Sequence, residues 1–171
     1  MNTAIPTNLH KARQLASTAQ FFAVTAMIVI GISIAAQIVA PALGLLRSDT
    51  LTMRQGLEQI SLLILQAVPA MFLFEAVKQL GKALHYFEKG EFFGHQAPAC
   101  IARAGDQALK AMIAAMLAVP VLSQWITARG GFDLRIEPEF LGMLTFALFI
   151  SLTGRILSAA ASLKEENDAF I

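Results

Sequence analysis

Apolar and polar positions are separated into long blocks along this chain instead of alternating with a short period. Four apolar blocks cover about residues 21–46, 57–80, 108–127 and 140–161. A helix needs about 20 mainly apolar residues to cross the hydrocarbon core of a bilayer. The pattern therefore predicts an all-α fold: an integral membrane four-helix bundle with four spans, forming a single domain over residues 1–171.

The longest polar segment, about residues 81–107, connects the second and third spans and carries helix signals of its own. Gly90 and Gly94 interrupt it, and Pro98 suits the first turn of a helix, where its missing N–H is not needed. We expect the second helix to continue to about Tyr86 and the third to begin near Gln96. Together they would form a helical hairpin extension between spans two and three.

Charge is scarce and unevenly distributed. Charged residues make up 15% of the chain and hydrophobic residues 56%, whereas a soluble domain has about 25% charged residues. Nine basic residues lie in the N-terminal segment, the 81–107 connection with its flanks, and the C-terminal end, against four near the other two loops. Because cytoplasmic loops are enriched in Lys and Arg, both termini and the connection are predicted to be cytoplasmic.

Two charges lie well inside the predicted spans. Glu75 is 17 residues beyond Glu58, and Arg155 is 16 residues beyond Glu139. At 1.5 Å per residue, both lie about 24–26 Å from the outer boundary and so share a depth. An ionisable group there usually faces the bundle interior or a partner charge. We therefore expect Glu75 and Arg155 to form an intramembrane pair, directly or through one polar bridge.

Aromatic and basic residues alternate around the predicted hairpin tip. Aromatic rings and long lysine side chains favour the headgroup region of a bilayer. The segment is therefore expected to be an interfacial anchor, and a docking surface for a cytoplasmic protein is the compatible alternative. Its residues are Tyr86, Phe87, Lys89, Phe92 and Phe93.

Side chains with catalytic or metal-binding chemistry do not form a recognisable motif. His85, His95 and Cys100 share the connection, but their spacings of ten and five residues match no zinc motif. The sequence contains no G-x-S-x-G segment and no phosphate-binding loop. The net charge of +1 disfavours direct nucleic-acid binding. We therefore expect no enzyme activity, no cofactor and no metal.

Prolines and small residues inside the spans leave alternatives open. Pro69 and Pro120 bend helices, and such breaks line substrate sites in transporters but more often only shape packing. Small residues four apart, such as Gly31 with Ala35 and Gly154 with Ser158, allow close helix contact. They would serve either the core of the bundle or a homo-oligomer.

Two short stretches, one after the second span and one at the C-terminal end, contain a recognisable set of residues. They are Phe87, Gly90, Phe93, Arg103, Gly105, Leu163, Glu165, Glu166, Asn167 and Asp168. With these residues the chain resembles the bacterial membrane-protein family called domain of unknown function 2975. The resemblance implies four spans, a bacterial cytoplasmic (inner) membrane location and, because members often neighbour helix-turn-helix regulators, a regulatory role. It implies no catalytic or binding residues.

The expected function is that of a small, non-enzymatic membrane regulator or adaptor that binds a cytoplasmic partner. The partner suggested by the resemblance is a helix-turn-helix regulator, and the lipid bilayer surrounds the spans. The alternative is a subunit of a small transporter, channel or exporter, for which the span residues Gln66, Pro69, Glu75, Pro120 and Arg155 argue.

Overall fold

Four long helices make up the described part of the chain. The structure, a computed structural model, describes residues 7–47, 52–90, 94–127 and 138–168. The helices are α1 (Thr7–Arg47), α2 (Met53–Glu88), α3 (Gln96–Thr127) and α4 (Pro138–Asp168). Each contains a stretch long and apolar enough to cross a membrane. The expected all-α fold with four helices is confirmed.

Local chemistry explains where the helices begin and end. Thr52 precedes α2, and its backbone N–H donates to the Gln55 side chain over 3.1 Å in a capping box. After α2, Gly90 has a φ of +86°, a left-handed conformation that ends helices and that glycine adopts without strain. Pro98 lies in the first turn of α3, and Pro138 begins α4. The expected helical ends of the hairpin, near Tyr86 and Gln96, are confirmed.

One turn inside α3 is widened. Residues Ala114–Ala118 form a π-helical turn between the α-helical parts Gln96–Ile113 and Val119–Thr127. Pro120 lies two residues after this turn and has no N–H to donate to the carbonyl of Met116. The choice between a packing role and a substrate site for Pro120 stays a prediction. Pro69 leaves α2 helical throughout.

The helices pack mainly against their neighbours in the chain. In the described residues α1 packs on α2, α2 on α3, and α3 on α4. The four helices therefore form a row, with α1 and α4 at its two edges and α3 in contact with both α2 and α4. The row leaves many large apolar side chains exposed on α1 and α4, as expected where lipid covers them.

Buried side chains lie toward one end of the molecule along the helix axes. We call this the hairpin end: residues 14–27, 76–90, 94–111 and 147–168, which include the α2–α3 hairpin. Among the described side chains, none is buried before Ala67 in α2, after Ala114 in α3 or before Ala147 in α4. The buried residues are mostly alanines, and small residues let membrane helices approach closely. The best-packed part of the molecule is therefore at and next to its hairpin end.

Candidate functional site

A polar cluster joins α3 to α4 at the hairpin end. The Ser151 hydroxyl donates to Asp106 Oδ1 over 2.6 Å. Arg155, one turn further along α4, donates from Nη2 to Asp106 Oδ2 over 3.1 Å and to Oδ1 over 3.3 Å. Because its acceptor is a carboxylate, the Ser151 hydrogen bond is of the stronger, charge-assisted kind. Ser151 itself is buried. The cluster fixes the register of α4 against α3.

The helix backbones approach unusually closely beside this cluster. A Cβ added to Gly105 would lie 2.5 Å from Ser151 Cα, and one added to Gly154 would lie 2.6 Å from Ala102 Cα. No real carbon pair sits that close without bonding, so only glycine fits at either position. Each glycine is three residues from a small residue of its own helix, Ala102 or Ser151. The two small patches therefore interlock.

A second polar link lies nearer the tip of the hairpin. His95 Nε2 is 2.7 Å from Glu165 Oε2, across the start of α3 and the end of α4. Asp106 and Arg155 lie 11 and 10 residues away along their respective helices, about 15 Å at 1.5 Å per residue. The two links show that α3 and α4 run antiparallel and remain joined over about three turns.

The structure does not pair Glu75 with Arg155, and that prediction is wrong. Glu75 accepts hydrogen bonds from Lys78 Nζ over 3.0 Å and from Gln79 Nε2 over 2.7 Å, both on its own helix. Arg155 forms its ion pair with Asp106 instead. Glu75 shares a cavity with Gln107, the neighbour of the Asp106 that binds Arg155, so the two residues lie at a similar level along the helices. However, α3 stands between the helices that carry them. Depth follows from residue spacing, whereas the choice of neighbour depends on helix order and rotation.

Sequence reasoning missed Asp106 and Ser151 as members of a site. Asp106 lies at the end of the 81–107 connection, where an acid is expected to be hydrated, and Ser151 is uncharged. The available signal was the pair of small motifs, Ala102 to Gly105 and Ser151 to Gly154, each spaced by three residues. Small residues close together on one helix face allow two helices to approach closely, and here Asp106 and Ser151 lie next to such an approach.

The predicted anchor or docking segment is only partly described. Tyr86 and Phe87 are partly buried and Lys89 is exposed, while Phe92 and Phe93 lie outside the described residues. Tyr86 lines a cavity between α1 and α2 together with Lys82. The structure thus places the aromatic start of this segment against α1, and the choice between anchor and docking surface stays a prediction.

An unsatisfied amide lies between α2 and α3. The Oε1 atom of Gln107 is buried and accepts no hydrogen bond in the described part of the chain. Gln107 and Glu75 both line a cavity of about 350 Å³, whose other walls are apolar residues of α1 and α2. A buried acceptor without a donor costs about 1–3 kcal/mol. Gln107 therefore lowers the stability of the contact between α2 and α3.

The histidines and the cysteine lie apart from one another. His85 is 3.8 Å from Glu88, His95 contacts Glu165, and Cys100 is buried. Within the described ranges, no three His, Cys, Asp or Glu side chains gather closely enough to hold a metal ion. Each of these groups therefore takes part in helix packing or in pairwise contacts.

Comparison with known proteins adds no relative. No protein-family model matches the chain, and neither a curated protein nor a solved structure matches it. The resemblance to the domain of unknown function 2975 family therefore continues to rest on the motif residues alone.

Proposed function

We propose that the protein is a non-enzymatic regulator or adaptor of the bacterial inner membrane, with both termini in the cytoplasm, and that its hairpin end binds a soluble cytoplasmic protein. The helices are longer than a bilayer requires. The 36 residues of α2 extend about 54 Å and the 31 residues of α4 about 46 Å, against a hydrocarbon core of about 30 Å. The excess length supports a structured body outside the membrane.

The antiparallel junction between α3 and α4 is the observation that carries this proposal. It is held by the Asp106 cluster, by the Gly105 and Gly154 crossing, and by the pair of His95 with Glu165. A rigid surface binds a partner at a lower entropic cost than a flexible one. Joining the ends of two spans to make such a surface is what an adaptor needs.

The chemistry of that surface fits a protein partner. Arg103, Glu165, Glu166 and Asn167 are exposed on this part of the molecule, so its surface carries charges of both signs. Mixed charges orient protein partners and exclude wrong ones, whereas nucleic acid is attracted by a uniformly basic surface. By resemblance, the partner class is a helix-turn-helix regulator. The polar groups of the junction bond to one another, which favours the adaptor over the transporter alternative.

Site-specific photocrosslinking in the native membrane tests the proposal. A photoreactive amino acid is placed at Glu166, on the exposed tail of α4, and as a matched control at Leu148, which is exposed on the same helix within the predicted span. We expect one discrete adduct with a soluble protein from Glu166 and none from Leu148. Mass spectrometry identifies the partner.

A further variant links the adduct to the junction. His95→Ala removes the pair with Glu165 without adding bulk, and the adduct yield at Glu166 should fall. If Glu166 gave no soluble adduct, or only a band at twice the mass of the chain, the adaptor proposal would be overturned. The second result would identify the hairpin end as a contact between two copies.

A further inference from the structure

A cavity of about 510 Å³ lies between α1 and α2 at the hairpin end. Lys78, Lys82, His85 and Tyr86 form its α2 wall, and their spacing places them on one face of the helix. Lys78 is bound to Glu75 over 3.0 Å. No ion pair within 4.0 Å joins Lys82 to a carboxylate in the described residues, although Lys82 is near enough to Glu75 to act on its charge. Two lysines therefore share one carboxylate, and the α2 wall keeps a net positive charge.

The α1 wall of the same cavity is mostly apolar. Val24 and Met27 line it, and Gln20 lies at its polar end. Gly81 of α2 faces this wall, and a Cβ added there would be 3.9 Å from the Ala23 Cβ, an ordinary contact distance. The missing Cβ of Gly81 therefore leaves room between the two helices, and Gly81 itself lines the cleft. The cleft is basic and hydrogen-bonding on one side and apolar on the other.

The apolar blocks of α1 and α2 both end beside this cleft. Gln20 directly precedes the apolar block of α1, which begins at Phe21, and Lys82 lies two residues after Leu80, the end of the block of α2. In a membrane-spanning chain, this level is where lipid phosphates meet acyl chains. Tyrosine and lysine are favoured there because each has an apolar body and a polar tip.

We propose that the cleft between α1 and α2 is a binding site for one anionic glycerophospholipid. Its phosphate contacts Lys82, His85 and Tyr86, and an acyl chain lies along Val24 and Met27. Basic pockets between membrane helices on the cytoplasmic side bind anionic headgroups, and a phosphate accepts several hydrogen bonds at once. This site is independent of the partner surface on α3 and α4.

The apolar wall favours a lipid over a soluble anion. A free phosphate would use only the Lys82 side of the cleft and would leave Val24 and Met27 in contact with water. A lipid covers both sides and buries those two side chains, at about 25 cal/mol per Å² of apolar area. We therefore expect tight binding only of a molecule that has both a phosphate group and an acyl chain.

Native mass spectrometry of the purified full-length protein, titrated with phosphatidylglycerol or phosphatidylcholine, tests this site. We expect the wild type to retain one phosphatidylglycerol in preference to phosphatidylcholine. Lys82→Gln should weaken that binding about five-fold, as expected for one lost charge near an anionic lipid. The matched control Lys110→Gln removes an exposed lysine of α3 that does not line the cleft, and it should change the binding less than two-fold by the same charge argument.

A second variant keeps every charge and fills the cleft. Val24→Phe places a ring in the apolar side, whereas Val29→Phe adds the same ring on a part of α1 that is exposed and outside the cavity. Only Val24→Phe should reduce lipid retention. Slow maleimide labelling of the buried Cys100 shows that each variant is folded.

Three results would overturn the proposal. In the first, Lys82→Gln and Lys110→Gln lower retention equally, which indicates general attraction to anionic lipid. In the second, Val24→Phe retains lipid as the wild type does. In the third, inorganic phosphate at millimolar concentration displaces the lipid completely, which would assign the site to a soluble anion.

Discussion

Replacing Gly154 with alanine should separate α3 from α4. The new Cβ would lie 2.6 Å from Ala102 Cα and 2.9 Å from Ala102 Cβ, whereas carbon atoms in contact sit about 3.5–4.0 Å apart. Because the obstacle includes backbone, no rotamer change relieves it, and the helices must separate by about 1 Å to restore normal contact. The nearby 2.6 Å bond from Ser151 to Asp106 would then be stretched beyond hydrogen-bonding range.

The expected loss follows from three contributions. Overpacking costs about 1–3 kcal/mol, and losing a hydrogen bond to a charged group costs about 1.5–3 kcal/mol. The better helix propensity of alanine offsets about 1 kcal/mol of this loss in stability. The net destabilisation is on the order of 3 kcal/mol, which corresponds to a melting midpoint lower by about 6–12 °C for a chain of this size.

Cys100 provides the assay, because it is the only cysteine in the sequence and it is buried in α3. A maleimide dye reacts with its thiol only when the helices open, so labelling during heating gives the midpoint in detergent. The matched control is Gly142→Ala on the same helix, where an added Cβ meets nothing within 4 Å. That control should melt at or above the wild-type temperature. If Gly154→Ala and Gly142→Ala both raised the midpoint, the close crossing would be refuted.

Three further predictions concern the polar groups and the orientation. The effects of Arg155→Gln and Asp106→Asn on the free energy of unfolding should be non-additive by about 0.5–3 kcal/mol, because the two residues are in contact. The effects of Arg155→Gln and Glu75→Gln should be additive. The reverse pattern would support a pair between Glu75 and Arg155. Gln107→Met should raise the midpoint, since it removes an unsatisfied buried acceptor at similar volume, and a lowered midpoint would indicate that the amide has a partner. A reporter enzyme that is active only in the cytoplasm should be active when fused after Ile171, and activity of a periplasm-specific reporter fused at the same position would contradict the charge count.

The apolar blocks and the helix ends could be predicted from the sequence, because both depend on residues close together in the chain. Span length follows from composition, and the ends of the hairpin follow from Gly90 and Pro98, whose backbone preferences act locally. The shared depth of Glu75 and Arg155 was accessible for the same reason, since helical rise is constant.

Only the tertiary structure decided which helices are neighbours and which faces meet. Gly31 and Gly154 both have a small residue four positions on, yet a Cβ on Gly31 would meet nothing within 4 Å while one on Gly154 would overlap Ala102. Likewise, Arg155 pairs with Asp106 because α3 lies beside α4. Helix rotation and order are set by the summed packing of many side chains from distant parts of the chain, and no local pattern contains that sum.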